Sequence, residues 1–251
     1  MVATPAWPPA SLPRLYVEDT LAPGAMVTLE GPPAHYLANV LRLQPGSRVK
    51  LFDDRTGEWL GELHETGRKR VSVSLLEQLR PREPVPDLWL LFAPIKRGRI
   101  DWLVEKATEL GVARLVPVTT ERTVVDRLNL ERLRAHSIEA AEQCDRTALP
   151  HIEAPVALDK LLAEWPQQRS LYFADETGGR PLAEAAETGS AAILIGPEGG
   201  FTQAERARIG AVAQARAVSL GPRILRADTA AAAAISLWMA AAGDWGRHAD
   251  R

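Results

Sequence analysis

A chain of 251 residues with 46% hydrophobic and 25% charged content has the make-up of a soluble protein and the length for two packed domains. Its formal net charge of -2 excludes a protein that coats nucleic acid indiscriminately, while leaving local basic clusters free to follow phosphates. A single cysteine, Cys144, excludes an internal disulfide framework, and no Cys/His spacing suits a metal; a buried, reduced thiol is the expectation. The opening stretch MVATPAWPPASLPRL lacks the basic start and apolar core of a secretory leader, and no apolar run is long enough to span a bilayer. The expected setting is therefore the cytoplasm, away from membranes.

Short β-prone runs come first: Arg14 to Val17, Ala25 to Leu29, Arg48 to Phe52, Trp59 to Leu63 and Val71 to Leu76. Turn pairs such as Pro23-Gly24, Pro45-Gly46 and Thr56-Gly57 separate them, and one helical pattern, His35 to Leu43, interrupts them. This spacing predicts a small β-barrel carrying one helix over residues 1–80. Residues 1–80 hold nine Lys/Arg and nine Asp/Glu, so any nucleic acid must be met by a local face. Arg68-Lys69-Arg70 is one basic cluster, and Lys96-Arg97 with Arg99 is another. Each reads either as a solvated surface or as a phosphate contact. Residues 81–87, with three prolines, predict an extended linker.

From residue 88 the period changes. Leu88 to Ala93 reads as a buried strand, and Ile100, Leu103, Val104, Ala107 and Leu110 fall on one helical face before Gly111. Ala113 to Val118 predicts a strand, Leu130 to Cys144 a helix, Leu171 to Ala174 a strand and Pro181 to Glu187 a helix. Strands alternating with helices predict an α/β domain with a mainly parallel sheet over residues 88–251.

The stretch around which the domain is organised lies near its end. A strand, Ala191 to Ile195, empties into Gly196-Pro197-Glu198-Gly199-Gly200, after which Thr202 and Glu205 have capping-box spacing. A second strand, Ala217 to Leu220, empties into Gly221-Pro222-Arg223-Ile224-Leu225-Arg226, and Asp228 or Thr229 is placed to cap an Ala-rich helix. In open α/β sheets ligands lie beyond the carboxyl ends of the strands. The loops lack a phosphate-loop ending and a dinucleotide fingerprint, which favours a nucleotide-like ligand held by backbone without phosphate cradling.

These residues resemble a family. Ile195-Gly196-Pro197-Glu198-Gly199-Gly200-Phe201 and Leu220-Gly221-Pro222-Arg223-Ile224-Leu225-Arg226, with Asp228-Thr229-Ala230, are similar to the carboxy-terminal motifs of the ribosomal RNA small-subunit methyltransferase E family. Lys106 to Gly111, Glu142-Gln143 with Arg146 and Pro150, and His35 with Val40-Leu41-Arg42 extend the resemblance over nearly the whole chain. It implies a SPOUT-type trefoil-knotted α/β domain, an amino-terminal PUA-like RNA-binding β-barrel and a homodimer. It also implies S-adenosylmethionine as donor and N3 of one uridine in 16S ribosomal RNA of the small subunit as acceptor. Asp228 stands where the family usually has glutamate, which favours helix capping over direct catalysis.

The resemblance assigns roles that the chemistry can test. Ile195, Leu220, Ile224 and Leu225 would wall a cofactor pocket, while Gly196, Gly200 and Gly221 would let backbone approach. Uridine N3 must lose an imide proton, so a base, or a cation that stabilises the developing anion, is needed; Glu198 is the candidate base and Arg226 the candidate cation. Arg42, Arg68, Lys69, Arg70, Lys96, Arg97 and Arg99 would contact RNA phosphates. Glu142, Gln143 and Arg146 read either as a border of the acceptor pocket or as a buried polar network. The competing functions are a non-catalytic RNA-binding or ribosome-assembly protein, and a nucleotide-dependent enzyme of small molecules.

Overall fold

The computed structural model describes residues 12–67, 69–125 and 127–246. Contacts divide them into two compact units, one reaching Pro84 and including Asp145–Ala148, the other taking Val85–Cys144 and the chain from Leu149 onward.

The first unit contains β1 (Arg14–Tyr16), β2 (Met26–Glu30), α1 (Gly31–His35), a π-helical turn at Tyr36–Val40, β3 (Arg48–Phe52), β4 (Gly57–Thr66) and β5 (Arg70–Pro81). Its strands form one sheet in the order β1-β3-β4-β5-β2, antiparallel except for β1 beside β3. The long β4–β5 ladder slips register at three places, and such irregularities bend and twist a sheet, giving the curl of a barrel. Alternating apolar residues, Val49 and Leu51 among them, meet Leu37 inside it. The single helix predicted from His35 to Leu43 instead begins earlier, as α1 with two prolines in its first turn, and continues as the π turn.

Polar residues pin this unit. Asp53, 1% exposed, accepts from the backbone N–H groups of Leu21 at 2.8 Å and Thr56 at 2.7 Å. Burial opposes its ionisation, yet these bonds with those from Arg55 and the Thr56 hydroxyl hold its carboxyl below the ordinary value. Glu58, 2% exposed, is paired with Arg14, with Arg80 at 3.2 Å and with Lys50 at 3.5 Å. Desolvation again raises its pKa, but the hydrogen bonds and charges of Arg14 and Arg80 outweigh it and the net shift is downward. Arg14 also donates to Arg146 O at 2.7 Å, and Glu83 accepts from the Thr147 and Ala148 N–H groups at 2.9 and 3.2 Å. These bonds hold Asp145–Ala148 in the first unit.

A depressed folded-state pKa contributes stability that is present above the unfolded value and lost as pH falls through the folded one. Glu58→Gln is accordingly expected to lose about 3 kcal/mol at pH 7. The deficit should shrink once pH drops below about 4.3. Urea titrations of both proteins at pH 7 and pH 3 check this, and a deficit independent of pH would refute it.

The second unit contains β6 (Leu88–Phe92), α2 (Arg97–Glu109), β7 (Arg114–Thr119), α3 (Leu130–Gln143), β8 (His151–Ile152), β9 (Val156–Ala157), α4 (Leu158–Ala163), β10 (Ser170–Ala174), β11 (Arg180–Pro181), α5 (Leu182–Ala185), β12 (Ala191–Ile195), α6 (Gln203–Gly210), β13 (Ala215–Ser219) and α7 (Ala227–Ala241). The sheet order is β11-β13-β10-β12-β6-β7-β8, with β9 also on β7, and every pairing is parallel. Residues alternate between two cores: Leu88, Leu90 and Phe92 face the cluster with α2 and α7, whereas Leu91 faces Phe201 and Ile209. A sheet buried on both faces requires such continuous apolar strands. Within α7, Ala230, Ala231, Ala234, Ile235, Trp238 and Met239 are buried, so the alanine run is a close-packing face as well as a good helix former.

Two local expectations change. Arg226, not Asp228 or Thr229, is the N-cap of α7, and no side chain caps it; Asp228 sits inside the first turn, where a negative charge suits the free N–H groups. Cys144 is exposed, not buried, because α3 ends there and the chain leaves the core. Gln143 is also exposed and Glu142 half-buried, whereas Arg146 is buried in the other unit. No helix of the described residues is long and apolar enough to cross a membrane.

Candidate active site at the carboxyl ends of the strands

Strand β10 lies between β12 and β13, so three loops meet at one end of the sheet. Beyond their carboxyl ends lies a cavity of about 530 Å³, within the range of sites for small ligands. Ile195, Gly196, Gly200, Leu220, Gly221, Ile224 and Leu225 all line it, as do Glu198 and Arg226. The sheet order thus brings together two loops separated by about a helix and a strand in sequence.

The walls differ in character. Ile195 belongs to the buried core, and Leu220 and Leu225 pack against that core from the cavity side. Ile224 is 90% exposed, an apolar side chain at the rim and not a buried wall. The glycines have separate reasons. A Cβ on Gly196 would stand 3.0 Å from the Phe201 ring, so its bareness serves packing within the loop. Gly200 has φ +67, and a Cβ there would stand 2.9 Å from Glu176 Oε1. Gly221 has φ +111 with open space around it, so backbone conformation is what requires glycine there.

The first glycine loop is fastened from several sides. Thr202 and Glu205 form the expected capping box, with Glu205 N to Thr202 Oγ1 at 3.2 Å and Thr202 N to Glu205 Oε2 at 2.8 Å. The other oxygen of this buried carboxylate accepts from Glu121 N at 2.8 Å. Arg122 donates to Gly199 O, and Gly200 N to Pro197 O at 2.8 Å. On the far side Arg206 bridges Asp175 at 3.4 Å and Glu176 at 2.8 Å.

The two candidate catalytic groups line the cavity in different states. Arg226 is exposed, and among the described residues no hydrogen bond or ion pair engages its guanidinium. Glu198 is 48% exposed and accepts from Arg99 Nη1 at 2.8 Å. Arg99 also lines the cavity, with Nε 4.0 Å from Asp228 Oδ2. Of the other basic candidates, Arg42, Lys69 and Arg70 are exposed in the first unit and Lys96 is exposed in the second. Arg42 has φ +54; Arg68 and the side chain of Arg97 lie outside the described residues. No group of three His, Cys, Asp or Glu among the described residues is placed to hold a metal.

Asp175, Glu176 and Arg206 were missed as cavity residues. The signal was present: Leu171 to Ala174 empties into Asp175-Glu176-Thr177-Gly178-Gly179, the same strand-to-glycine-turn pattern as the other two loops.

Comparison with known proteins agrees with this arrangement. A family model described as an RNA methyltransferase domain matches residues 81–239, and one described as an RNA methyltransferase PUA domain matches residues 29–76. The chain is 31% identical to a ribosomal RNA small subunit methyltransferase E from Rickettsia conorii, over 89% of this chain and 93% of the relative. It is 32% identical to that of Synechocystis, over 89% of this chain and 76% of the relative. Its fold is similar to the crystal structure of a ribosomal RNA small subunit methyltransferase E from Neisseria gonorrhoeae bound to S-adenosyl methionine. The TM-score is 0.85 at 28% identity, covering 93% of this chain and 99% of that one. Curled sheet, parallel sheet, cavity and a similarity that spans most of the chain therefore lead to one assignment: the chain belongs to the ribosomal RNA small subunit methyltransferase E family, with its PUA-like and SPOUT-type α/β domains.

Proposed function

We propose that this protein transfers a methyl group from S-adenosylmethionine to N3 of a uridine in the 16S ribosomal RNA of the small subunit. The observation that carries the reading is the meeting of both glycine loops, Glu198 and Arg226 at one cavity. Its lining suits the donor: Ile195, Leu220 and Leu225 offer apolar surface to adenine, and backbone freed by Gly200 and Gly221 offers hydrogen bonds without a phosphate cradle. Bound there, S-adenosylmethionine supplies an electrophilic methyl group, whose bond to sulfur breaks as the bond to nitrogen forms.

The chain's residues do the rest. The Glu198 carboxylate accepts the imide proton of the uracil, and the electron pair left on nitrogen becomes the nucleophile. Negative charge then spreads over the ring and its carbonyl oxygens, where the Arg226 guanidinium, without an ion-pair partner among the described residues, stabilises it. Holding the ring in line with the methyl group supplies a further part of the acceleration.

In this reading residues 1–80 form the RNA-binding domain, 81–87 the linker and 88–251 the catalytic domain. Arg42, Arg68, Lys69, Arg70, Lys96 and Arg97 contact phosphates, and the protein works as a homodimer in the cytoplasm. Trp102 on α2 and Trp245 beyond α7, 41% and 51% exposed, supply apolar surface for a subunit contact. Lys69→Ala with Arg70→Ala is expected to lower the salt dependence of RNA binding by about two counterions, one for each contact. An unchanged slope in filter-binding titrations would remove this hairpin from the interface. The reading as a whole is tested with labelled S-adenosylmethionine and small-subunit particles lacking the modification. Label in 16S RNA is expected, and cofactor binding without transfer would contradict it.

A further inference from the structure

Arg99 sits in the first turn of α2, where the helix itself disfavours a cation. The free N–H groups there carry partial positive charge, the N-cap Lys96 forms no side-chain cap, and the first turn has no acidic residue. Compensation comes from two carboxylates outside the helix. Arg99 Nη1 donates to Glu198 Oε1 at 2.8 Å, and Arg99 Nε lies 4.0 Å from Asp228 Oδ2. Asp228 is in turn held by Thr229 N at 2.9 Å. The Arg99 side chain is 34% exposed and lines the cavity, whereas the exposed Lys96 near it is not among the lining residues.

We propose that Arg99 is a positioning residue for methyl transfer and not a phosphate contact. It clamps Glu198 through Oε1, which leaves Oε2 for the imide N–H of the acceptor. It also ties the glycine loop after β12 to the first turn of α7, next to Arg226. Flexible glutamate on a glycine loop has many rotamers, and a fork of fixed geometry selects one of them. The proposal rests on the reading above in which Glu198 is the base.

The test compares wild type, Arg99→Ala, Arg99→Lys, Glu198→Gln and the Arg99→Ala/Glu198→Gln double variant. Single-turnover methyl transfer is measured at saturating S-adenosylmethionine and saturating particles, alongside particle affinity at several salt concentrations. Arg99→Ala should lower the single-turnover rate about 100-fold, the scale of a misplaced general base. Particle affinity should change less than about twofold, with the salt slope intact, because no phosphate contact is lost. Arg99→Lys should recover part of the rate, and the double variant should be no slower than Glu198→Gln alone. Three results would overturn the proposal: a wild-type rate in Arg99→Ala, a salt slope reduced by about one counterion with the saturated rate intact, or fully additive losses in the double variant. A wild-type protein that transfers no methyl group overturns the underlying reading, and the proposal with it; that outcome is separable because it precedes any substitution.

Discussion

Arg226→Ala is expected to slow methyl transfer by about 100- to 1,000-fold, the range for removal of one preorganised stabiliser of developing charge. Binding of S-adenosylmethionine should stay within about threefold of wild type, since uniform binding and transition-state stabilisation are separable. The physical reason is the state of this side chain. Arg99 and Arg206 are engaged by carboxylates, whereas the guanidinium of Arg226 lines the same cavity without a partner among the described residues. A charge already neutralised by Glu198 or Glu176 has little to offer an anion that forms during reaction. Arg226→Lys keeps the charge and loses the fork, so it should recover only part of the rate. Equal rates for wild type and Arg226→Ala would place this residue outside the mechanism.

Gly200→Val is expected to weaken S-adenosylmethionine binding by about 30-fold or more, from about 2 kcal/mol of backbone strain imposed on the loop. The cause differs from simple intrusion upon a ligand. With φ +67 the residue is in left-handed territory, and its Cβ would meet Glu176 Oε1 at 2.9 Å. A valine must either pull the loop out of shape or displace Glu176 from Arg206, an ion pair that anchors α6 behind the loop. Gly210→Ala, at the end of α6 with nothing within 4 Å, is the control and should leave affinity unchanged. Calorimetric titration of both variants decides the matter, and an unaltered dissociation constant for Gly200→Val would count against the cavity as cofactor site.

Much of this was legible locally. Strands at 48–52 and 191–195 follow from unbroken apolar or alternating runs bounded by turn residues, and the Thr202/Glu205 box follows from spacing alone. What periodicity does not encode is order across the sheet. The strand-to-glycine-turn pattern after residues 170–174 marks a loop, but nothing in it says that this strand separates β12 from β13 and so brings Asp175 and Glu176 to the same cavity. Nor does the pattern show that Asp145–Ala148 joins the first unit, since that depends on Arg14 and Glu83 meeting backbone groups far away in sequence. The predicted strand at 59–63 came out short because bulges interrupt the alternation along β4 and β5. Knotting is likewise invisible to periodicity; chain-order rules argue against it, and it is only the family resemblance that implies it. At the site the residue types were readable, but partners were not: Arg99 looks like part of a basic cluster in sequence and holds Glu198 in space.

The most direct test of the central claim is nucleoside mass spectrometry of 16S RNA from small-subunit particles lacking the modification, after incubation with this protein and S-adenosylmethionine. The account predicts new N3-methyluridine, absent when Arg226→Ala replaces the wild type on the same timescale. A methyl group on another atom or another RNA, or none despite intact cofactor binding, would contradict it.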